Sequence, residues 1–559
     1  WDHYQGVQVS IRQSYDVSYS GFSVAPKFPP YTTMRLLLGD PVDDSLTMVR
    51  DTLKKMALSG LYDSISGGFH RYSTDAQWHC PHFEKMLVDN AQMIELYALG
   101  FESSPESLFQ RVVEETIDHL QRDWVRDGGG DVCGYILSMD ADSDGQEGLY
   151  YVLTYDELQS LFNARDFQIL CEHFQLSREG NMLDEATGEP TGYNIFHPVS
   201  EELPLDRTHF RKTLQTFRKE YRNHPVKDVA FSMAANALLA KALFIAASVF
   251  SRSDWQDLAV SLMDDLRRYL EANAKTLYLD DMVYVLDALW EGYQRCSYSN
   301  VAVIRGVWTQ ILDLFYDHIN GGAWFSQISH CTPMSRIKDI YDQAIPSSNA
   351  ILMMLGLKLY QELGDISFYR VGMDIMTAFM GMVLKSPRGC ETYWLGVFQS
   401  WDCRKMPRSR YSNQNYQISI SEDNVRETRR DMCFTTVPSW KHLGEGEVFV
   451  QFRECRQLSD HTVSCVLDVL LQEGRYLILP EHMIIKNMDS AYHWKSITID
   501  PVKSRRVDWS DKIVRCASDR VRLQGVCYME DMVDSIELIL QHCSDQDCQE
   551  CLVCIPVLA

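Results

Sequence analysis

The sequence has too little positive charge for a protein that binds nucleic acid. Its 559 residues include 53 lysines and arginines against 77 aspartates and glutamates, which gives a net charge of −24 at pH 7. A surface of this sign repels phosphate groups. We therefore expect no nucleic-acid partner.

Long hydrophobic runs are also absent. The nearest candidate for a membrane span covers residues 230–250, but Asn236 and Lys241 interrupt it and its apolar residues follow helical spacing. A spanning helix needs about 20 predominantly apolar residues. We expect a buried inner helix here and no membrane span.

Cysteine is sparse at the start of the chain. None precedes Cys80, and the 16 cysteines are scattered over the whole length. This distribution does not form the dense disulfide framework of a small secreted protein, which favours a reducing compartment. The N-terminal residues also lack the Met, basic region and apolar core of a signal peptide. We therefore expect the chain to begin inside a longer precursor and to be intracellular, either cytoplasmic or mitochondrial.

Two patterns imitate metal sites. A run of aspartates at 140–144 resembles the start of an EF-hand loop, but Tyr151 stands where that loop needs a glutamate. Near the C-terminus, Leu552 and Val553 are typical of a core, although the cysteine spacings around them would suit zinc or an iron–sulfur cluster. The sequence predicts no metal and no cofactor. The cysteines concerned are Cys543, Cys548, Cys551 and Cys554.

A repeated phrase organises the first 390 residues. Segments with apolar residues at helical spacing alternate with glycine turns followed by an aromatic or small residue. The phrase recurs at Gly21, Gly68, Gly130 and Gly322, at spacings of 47, 62 and 192 residues, the last being three times 64. Repeats of a helix pair that recur about six times suggest a closed (α/α)6 toroid or an open solenoid. Closure is favoured because the segment 229–251 is apolar on most sides, as an inner helix must be. The glycines lie at 21, 67–68, 128–130 and 321–322.

The character of the sequence changes after residue 390. We predict a toroid over 1–390, a polar linker or surface loop over 391–430, and a smaller C-terminal α/β region over 431–559. Within that last region, alternation at 446–452 predicts a strand, and the apolar residues at 466–471 suggest a helix.

One stretch is unusually dense in polar residues. It reads Gly-Gly-Phe-His-Arg-Tyr-Ser at 67–73 and Pro-His-Phe-Glu-Lys-Met-Leu at 81–87, with Trp78 and His79 between them. The glycines permit a turn, and a proline commonly stands just before a helix. The stretch therefore predicts a helix end, a short strand, a loop and a helix start.

These phrases resemble those of a known family and stand in the same order. The others are Ala-Pro-Lys-Phe-Pro at 25–29, Asp-Ala-Asp-Ser-Asp at 140–144, Tyr-Leu-Asp-Asp at 278–281 and the run 338–349. Together they resemble the spermatogenesis-associated protein 20 family, whose bacterial members are called YyaL-like. The resemblance implies a toroid like that of N-acylglucosamine 2-epimerases and six-hairpin glycosidases, preceded by a thioredoxin-like domain.

The chain departs from this family in two ways. Because no cysteine precedes Cys80, we expect the thioredoxin-like domain to be missing, and no Cys-x-x-Cys chemistry carries over. Where members have Trp-Asn-Gly-Leu at the start of an inner helix, this chain has Val-Ala-Phe-Ser at 229–232. A tryptophan that could stack on a sugar is absent there, so the chain is expected to be a divergent member.

The loops between outer and inner helices of such a toroid line one mouth, and they supply the candidate site. Histidines suit proton abstraction beside a carbonyl, whereas paired carboxylates suit cleavage of a glycosidic bond. The expected catalytic residues are His70, Arg71, His82, Glu84, Asp142 and Asp339. The expected ligand-binding residues are Tyr72, Trp78, His79, Asp144, Asp281, Tyr341 and Asp342.

Three functions remain open at the level of sequence. The first is a toroid that binds or processes a carbohydrate-like ligand, with epimerase-like or glycosidase-like activity. The second is a catalytically inactive toroid that serves as an assembly subunit with protein partners, since packed histidines and helix-capping aspartates are commonly structural. The third and least favoured is a thiol redox protein that uses the C-terminal cysteines.

Overall fold

The computed structural model describes residues 2–39, 43–126, 134–184, 187–327 and 336–405, together with strands between residues 432 and 558. The chain divides into two compact units, Trp1–Lys405 and Met406–Ala559. The helices of the first unit are α1 (Asp2–Gln13), α2 (Tyr31–Leu38), α3 (Asp43–Ala57), α4 (Leu87–Ser103), α5 (Ser107–Asp123), α6 (Tyr155–Leu161), α7 (Ala164–Phe174), α8 (Arg207–Tyr221), α9 (Met233–Phe250), α10 (Ser253–Asn273), α11 (Leu279–Cys296), α12 (Val301–Phe315), α13 (Ser348–Leu363), α14 (Ile366–Lys385) and α15 (Glu391–Lys405).

Six of these helices form a closed inner ring. In order around the ring, α2 packs against α4, followed by α9, α11, α13 and α15, and α15 returns to α2. Helices α1, α3, α5, α10, α12 and α14 lie outside and each contact at least one inner helix. The architecture is the (α/α)6 toroid that the sequence predicts. Helix α15 continues the ring past residue 390, where the sequence analysis ended the toroid.

Composition explains which helices lie inside. Every residue of α9 from Met233 to Ala247 is buried, because the helix has ring neighbours on both sides and α10 behind it. By contrast, α10 buries a single stripe that includes Trp255, Ala259 and Leu262. Each fully buried Leu or Met contributes about 1.5–3 kcal/mol, so the inner helices dominate the stability of the ring. Within the described residues, α9 is long and apolar enough to cross a membrane by length and composition, but its burial accounts for that composition.

Short strands connect the helices near the ends of the ring. They are β1 (Tyr72–Ser73), β2 (Pro81–His82), β3 (Lys85–Met86), β4 (Ser138–Met139), β5 (Asp142–Ser143), β6 (Gln146–Glu147), β7 (Leu153–Thr154), β8 (Tyr193–Asn194) and β9 (Lys227–Asp228). Strands β1 and β2 pair, as do β5 and β6, while β3, β4 and β9 form a three-stranded sheet. Helices α6, α7 and α8 form an insertion between α5 and α9 with its own apolar cluster.

The same arrangement of side chains stabilises the turn that precedes each of three inner helices. The Lys85 ammonium donates to Asp63 Oδ2 and to the carbonyl of Gly67, at 2.9 Å each. Gly67 has a φ of +90°, and a Cβ there would lie 2.2 Å from the carbonyl oxygen of Glu115, so glycine is required. The same clamp between an aspartate, a lysine and a carbonyl of the turn confirms that the glycine phrases at 21, 67–68 and 321–322 mark a structural repeat, whereas the phrase at 128–130 lies outside the described residues. The clamp recurs at Asp16 with Lys27 and at Asp317 with Lys338.

At three places, an asparagine near the start of an inner helix fixes the segment of chain that leads toward that helix. Asn90 accepts from the backbone N–H of Phe69 at 2.8 Å and donates to its carbonyl at 3.1 Å. All of these groups are buried, so each hydrogen bond replaces one that water would otherwise make. The same pair of hydrogen bonds joins Asn236 to Tyr135 and Asn349 to Ala323.

The described residues of the second unit all lie in strands. The helix suggested by residues 466–471 is wrong: these residues fall largely in a strand paired on both sides, and their valines favour that conformation. The strands are β10 (Met432–Cys433), β11 (Glu445–Gly446), β12 (Phe449–Ser459), β13 (Thr462–Leu470), β14 (Tyr476–Leu479), β15 (Tyr492–Ile499), β16 (Arg506–Val514), β17 (Arg522–Tyr528), β18 (Ile536–His542) and β19 (Val557–Leu558). One sheet has the order β10-β12-β13-β18-β15, a second has the order β14-β17-β16, and β11 pairs with β19.

Candidate functional site

All inner helices run in one direction, because an outer helix separates each from the next. Their N-termini therefore meet at one end of the ring, which we call the mouth. The polar stretch of residues 67–90 forms the mouth at α4, where β1 and β2 pair antiparallel with Tyr72 opposite His82. Cross-strand partners share a face of the hairpin. The dense stretch thus brings part of its polar residues to one surface.

Three rings form an aromatic platform on that surface. Tyr72 stacks on His82 with ring centroids 5.0 Å apart, and the ring centroid of Phe28 lies 4.6 Å from that of Tyr72, with the two planes tilted by 31°. Phe28 is 50% exposed. Together the three partly exposed rings offer an apolar surface with polar groups at its edges.

Charged side chains surround the platform. Arg71 donates to the Glu84 carboxylate at 2.9 Å, and the Nε2 of His82 lies 3.9 Å from the same carboxylate. The Nδ1 of His82 lies 2.7 Å from the Glu147 carboxylate on β6. This hydrogen bond is the main reason why the pKa of His82 is raised and the pKa of Glu147 is lowered. Glu147 comes from a different loop, so spacing in the sequence does not mark it as a partner of His82.

Asp89, in the first turn of α4, is a residue that the sequence analysis missed. Burial raises the pKa of its carboxyl to about 7. The repulsion of Glu84 adds to this increase, and the attraction of Arg71 opposes it. Its Oδ2 atom is buried and has no hydrogen-bond partner among the described residues. A carboxyl with a pKa near neutrality beside an ionised Arg–Glu pair can donate or accept a proton at physiological pH.

His70 lies in the packing beneath this surface. Its Nδ1 is 2.9 Å from the carbonyl of Phe83, and its ring meets Phe83 and Tyr151 edge-on. Burial is the main cause that holds its pKa well below the usual range, so the imidazole is neutral. With 2% exposure, His70 orients the strand and is not brought to the mouth.

Trp78 and His79 also face away from the platform. Trp78 is fully buried, and its indole N–H donates to the carbonyls of Tyr19 and Ser20. His79 packs on His197, with ring centroids 4.1 Å apart. Both residues fix the loop between β1 and β2.

The aspartates of the hairpin β5–β6 divide in the same way. Asp142 is exposed and lies opposite Glu147 in the strand register, which places it at the rim of the platform. Asp144 occupies the turn with φ of +53° and accepts a hydrogen bond from Asn223 at 2.7 Å. Asp142 therefore belongs with the candidate site, while Asp144 shapes the turn.

The remaining predicted residues lie where α11, α13 and α15 begin. Asp342 accepts from the backbone N–H groups of Ser347 and Thr392 at 2.9 and 2.8 Å, so one carboxylate joins the starts of α13 and α15. Burial nevertheless raises its pKa to about 7. Asp281 accepts from the N–H of Tyr278 and of Ala234, and burial raises its pKa.

Asp339 also orders its own loop. Its Oδ1 accepts from the N–H of Tyr341 and its Oδ2 from the amide of Gln343, both at 3.0 Å. Tyr341 is partly exposed beside it. Both residues belong to the segment that leads into α13.

A network of buried ion pairs fills the ring axis beneath the mouth. Glu95 on α4 contacts Arg35 on α2 at 3.0 Å and Lys241 on α9 at 3.2 Å, and Lys241 contacts Asp287 on α11 at 3.0 Å. Burial alone would lower the pKa of Lys241, but the attraction of Asp287 and Glu95 outweighs it and raises that pKa well above its usual value. The network ties four inner helices together.

Metal-binding groups can be sought only in part of the chain. Among the described residues, no group of three or more His, Cys, Asp or Glu side chains could hold a metal ion. The cysteines at 543, 548, 551 and 554 lie outside the described residues.

Comparison with known proteins supplies relatives and a fold neighbour. No protein-family model matches the chain. Spermatogenesis-associated protein 20 of Rattus norvegicus is 28% identical over 439 residues, and that of Homo sapiens is 28% identical over 441 residues. Each match covers 67% of this chain and 55% of the relative, so the chain spans about half the length of the curated relatives it matches.

Among solved structures, a cellobiose 2-epimerase from Bacillus thermoamylovorans aligns over 72% of this chain and 99% of that chain, with a TM-score of 0.45 and 7% identity. The closed ring of helix pairs described above establishes the toroid independently of this neighbour. From its sequence relatives, the chain is a homologue of spermatogenesis-associated protein 20.

Proposed function

We propose that the toroid binds a neutral, carbohydrate-like ligand on the aromatic platform at the mouth of the ring. The observation that carries the proposal is the stack of Phe28, Tyr72 and His82 beside the Arg71–Glu84 pair. Aromatic rings pack on the apolar faces of sugar rings, and charged groups at their edges bind hydroxyls in fixed directions.

The charges around the platform favour a neutral ligand over an anionic one. Glu84, Glu147, Asp89 and Asp142 surround the platform, and Arg71 is already paired with Glu84. A phosphorylated or carboxylated sugar would therefore meet repulsion that Arg71 is not free to offset. Hydroxyl groups, in contrast, can donate to every one of these carboxylates.

The chemistry that fits this arrangement is proton transfer. Asp89 has a pKa of about 7, close to the operating pH at which a general acid or base is most effective. Its unpartnered Oδ2 could accept a carbon-bound or hydroxyl proton from a ligand held on the platform. An epimerase-like exchange beside a carbonyl needs this kind of group, and Arg71 could stabilise the negative charge that develops.

The experiment is exchange of solvent deuterium into N-acetyl-D-glucosamine and D-glucose, followed by NMR. We expect deuterium at the carbon next to the carbonyl with the unmodified chain and a loss of at least about 100-fold with Asp89→Asn, as for removal of a general acid–base group. Asp156→Asn, at a side chain that is 76% exposed, is the control. Absence of exchange in every sample would exclude the enzymatic part of the proposal.

A second candidate is a catalytically inactive toroid that acts as an assembly subunit. The observation that favours it is the ion-pair network on the axis, which occupies the space that an open funnel would leave for a substrate. Native mass spectrometry of the protein isolated from its source tests this candidate. A stable heteromeric complex would support it, and a free monomer would exclude it.

A further inference from the structure

The segment that leads into α13 crosses the mouth of the ring. In the ring order, α13 lies three positions from α4 in either direction, so the two helices are opposite each other. Opposite walls are roughly 16–20 Å apart, because neighbouring helices lie about 8–10 Å apart. Nevertheless, the side-chain amide of Gln92 on α4 donates to the carbonyl of Ala344 at 2.9 Å. We call residues 339–346 the strap.

The base of the strap is held firmly. The N–H of Asp342 donates to the carbonyl of Gly389 at 2.7 Å, and the Asp342 carboxylate accepts from the starts of α13 and α15. The hydroxyl of Tyr284 on α11 donates to the carbonyl of Pro346. These anchors join the strap to three neighbouring inner helices.

The tip of the strap is held differently. Gln343 and Ala344 are exposed. Gln343 forms hydrogen bonds within the strap, to Asp339 and Ile345, and Gln92 supplies the hydrogen bond from the far wall. Gln92 itself is buried and also donates to the carbonyl of Val88, so its amide stays in place whether or not the tip is bound. A firm base and a lightly held tip are the features of a hinged cover.

The residue that the proposed chemistry uses neighbours the residue that holds the strap. Asp89 and Gln92 are three residues apart, as are Gln92 and Glu95, so Gln92 is a neighbour of each on the surface of α4. Gln92 reaches the strap, and Glu95 joins the ion pairs of the axis. Asp89 therefore lies beside the residue that holds the tip, and its Oδ2 is buried and unpartnered among the described residues.

We propose that the strap is a lid, and that release of its tip from Gln92 opens the mouth of the ring and exposes Asp89. The claim that the opening admits a carbohydrate-like ligand rests on the proposed function, whereas the claim that the strap opens does not. Gln92 is a positioning residue in this account. It sets the fraction of time that the lid is closed.

The test compares the unmodified chain with Gln92→Leu, which keeps the size of a buried side chain and removes the donor. Amide hydrogen exchange, read by mass spectrometry, should be roughly fivefold faster at 343–345 in Gln92→Leu, the factor that corresponds to one hydrogen bond. Labelling of Asp89 by a water-soluble carbodiimide should rise by a similar factor. Exchange within α13 should stay unchanged. The control is Gln110→Leu on the outer helix α5, where the lost bond is to Glu114.

Unchanged exchange at the strap in Gln92→Leu would overturn the lid. Faster exchange that spreads through α4 and α13 would also overturn it, because Gln92 would then be a general stabiliser of the ring. Faster exchange confined to the strap, with higher labelling of Asp89, would support it. The ligand is tested separately with N-acetyl-D-glucosamine: local opening without any binding would retain the lid and reject the proposed function.

Discussion

The side-chain amide of Asn90 pairs with both backbone groups of Phe69, as a neighbouring strand would. One residue of α4 thereby fixes the strand that leads toward the platform. Because equivalent asparagines serve α9 and α13, the ring positions its mouth by the same device in three places.

Replacing Asn90 by alanine should destabilise the ring strongly. The change leaves the buried N–H and C=O of Phe69 without partners, and we expect a loss of about 2–4 kcal/mol in the free energy of unfolding. Thermal and urea unfolding of the unmodified and variant chains measure it. Asn223→Ala is the control, because Asn223 is exposed and bonds to Asp144 in a surface turn. Equal effects of the two changes would contradict the account.

Lys241→Met should be at least as damaging, although methionine suits a buried helix. It leaves Glu95 and Asp287 without the cation that lies between them, and removal of one partner of a buried ion pair costs about 3–5 kcal/mol. Lys219→Met, at an exposed position of α8, controls for the substitution. The double variant Lys241→Met with Asp287→Leu should recover part of the loss. If it shows no recovery, the two side chains do not act as a pair.

The pair of His82 and Glu147 should make stability depend on pH near neutrality. The pKa of His82 is raised in the folded chain, so the pair stabilises fully below the ordinary histidine pKa of 6.5, and this contribution is lost as the pH rises through the raised value. Melting temperatures of the unmodified chain and His82→Gln should therefore differ most at about pH 6 and converge toward about pH 9. A difference that stays constant over this range would rule out the pair as its source.

Asp89 should give a pH dependence in a different window. Between the ordinary aspartate pKa of 3.8 and about 7, the folded chain holds a proton on Asp89 that the unfolded chain has released. The free energy of unfolding therefore falls as the pH rises through this window. Asn cannot titrate, so Asp89→Asn should gain stability relative to the unmodified chain from about pH 4 to about pH 8. The same difference at both ends of the range would show that Asp89 titrates normally.

The sequence predicts the ring well because helical periodicity and glycine turns are local signals. Inner helices such as α9 are apolar all round, and a corner such as that at Gly67 needs a backbone that only glycine adopts readily. Strand β13 was missed because a short apolar run suits a helix or a strand until its partners are known.

The site was predicted less completely, for two physical reasons. Polar density marks a crowded corner but does not distinguish a side chain that faces the mouth, such as Arg71, from one beneath it, such as His70. Contacts between hairpins are also invisible in one sequence. Glu147 meets His82 across 65 positions, and Gln92 meets Ala344 across 252.

Ligand binding at Tyr72 tests the central claim most directly. Saturation-transfer NMR with N-acetyl-D-glucosamine and D-glucose would be recorded on the unmodified chain, on Tyr72→Ala and on Tyr221→Ala. Tyr221 is 66% exposed on α8 and serves as a matched aromatic control. We predict transfer to at least one sugar in the unmodified chain and in Tyr221→Ala, and a loss of about tenfold or more in affinity in Tyr72→Ala, as for removal of a stacking ring. Binding that survives Tyr72→Ala unchanged, or transfer to neither sugar, would contradict the account.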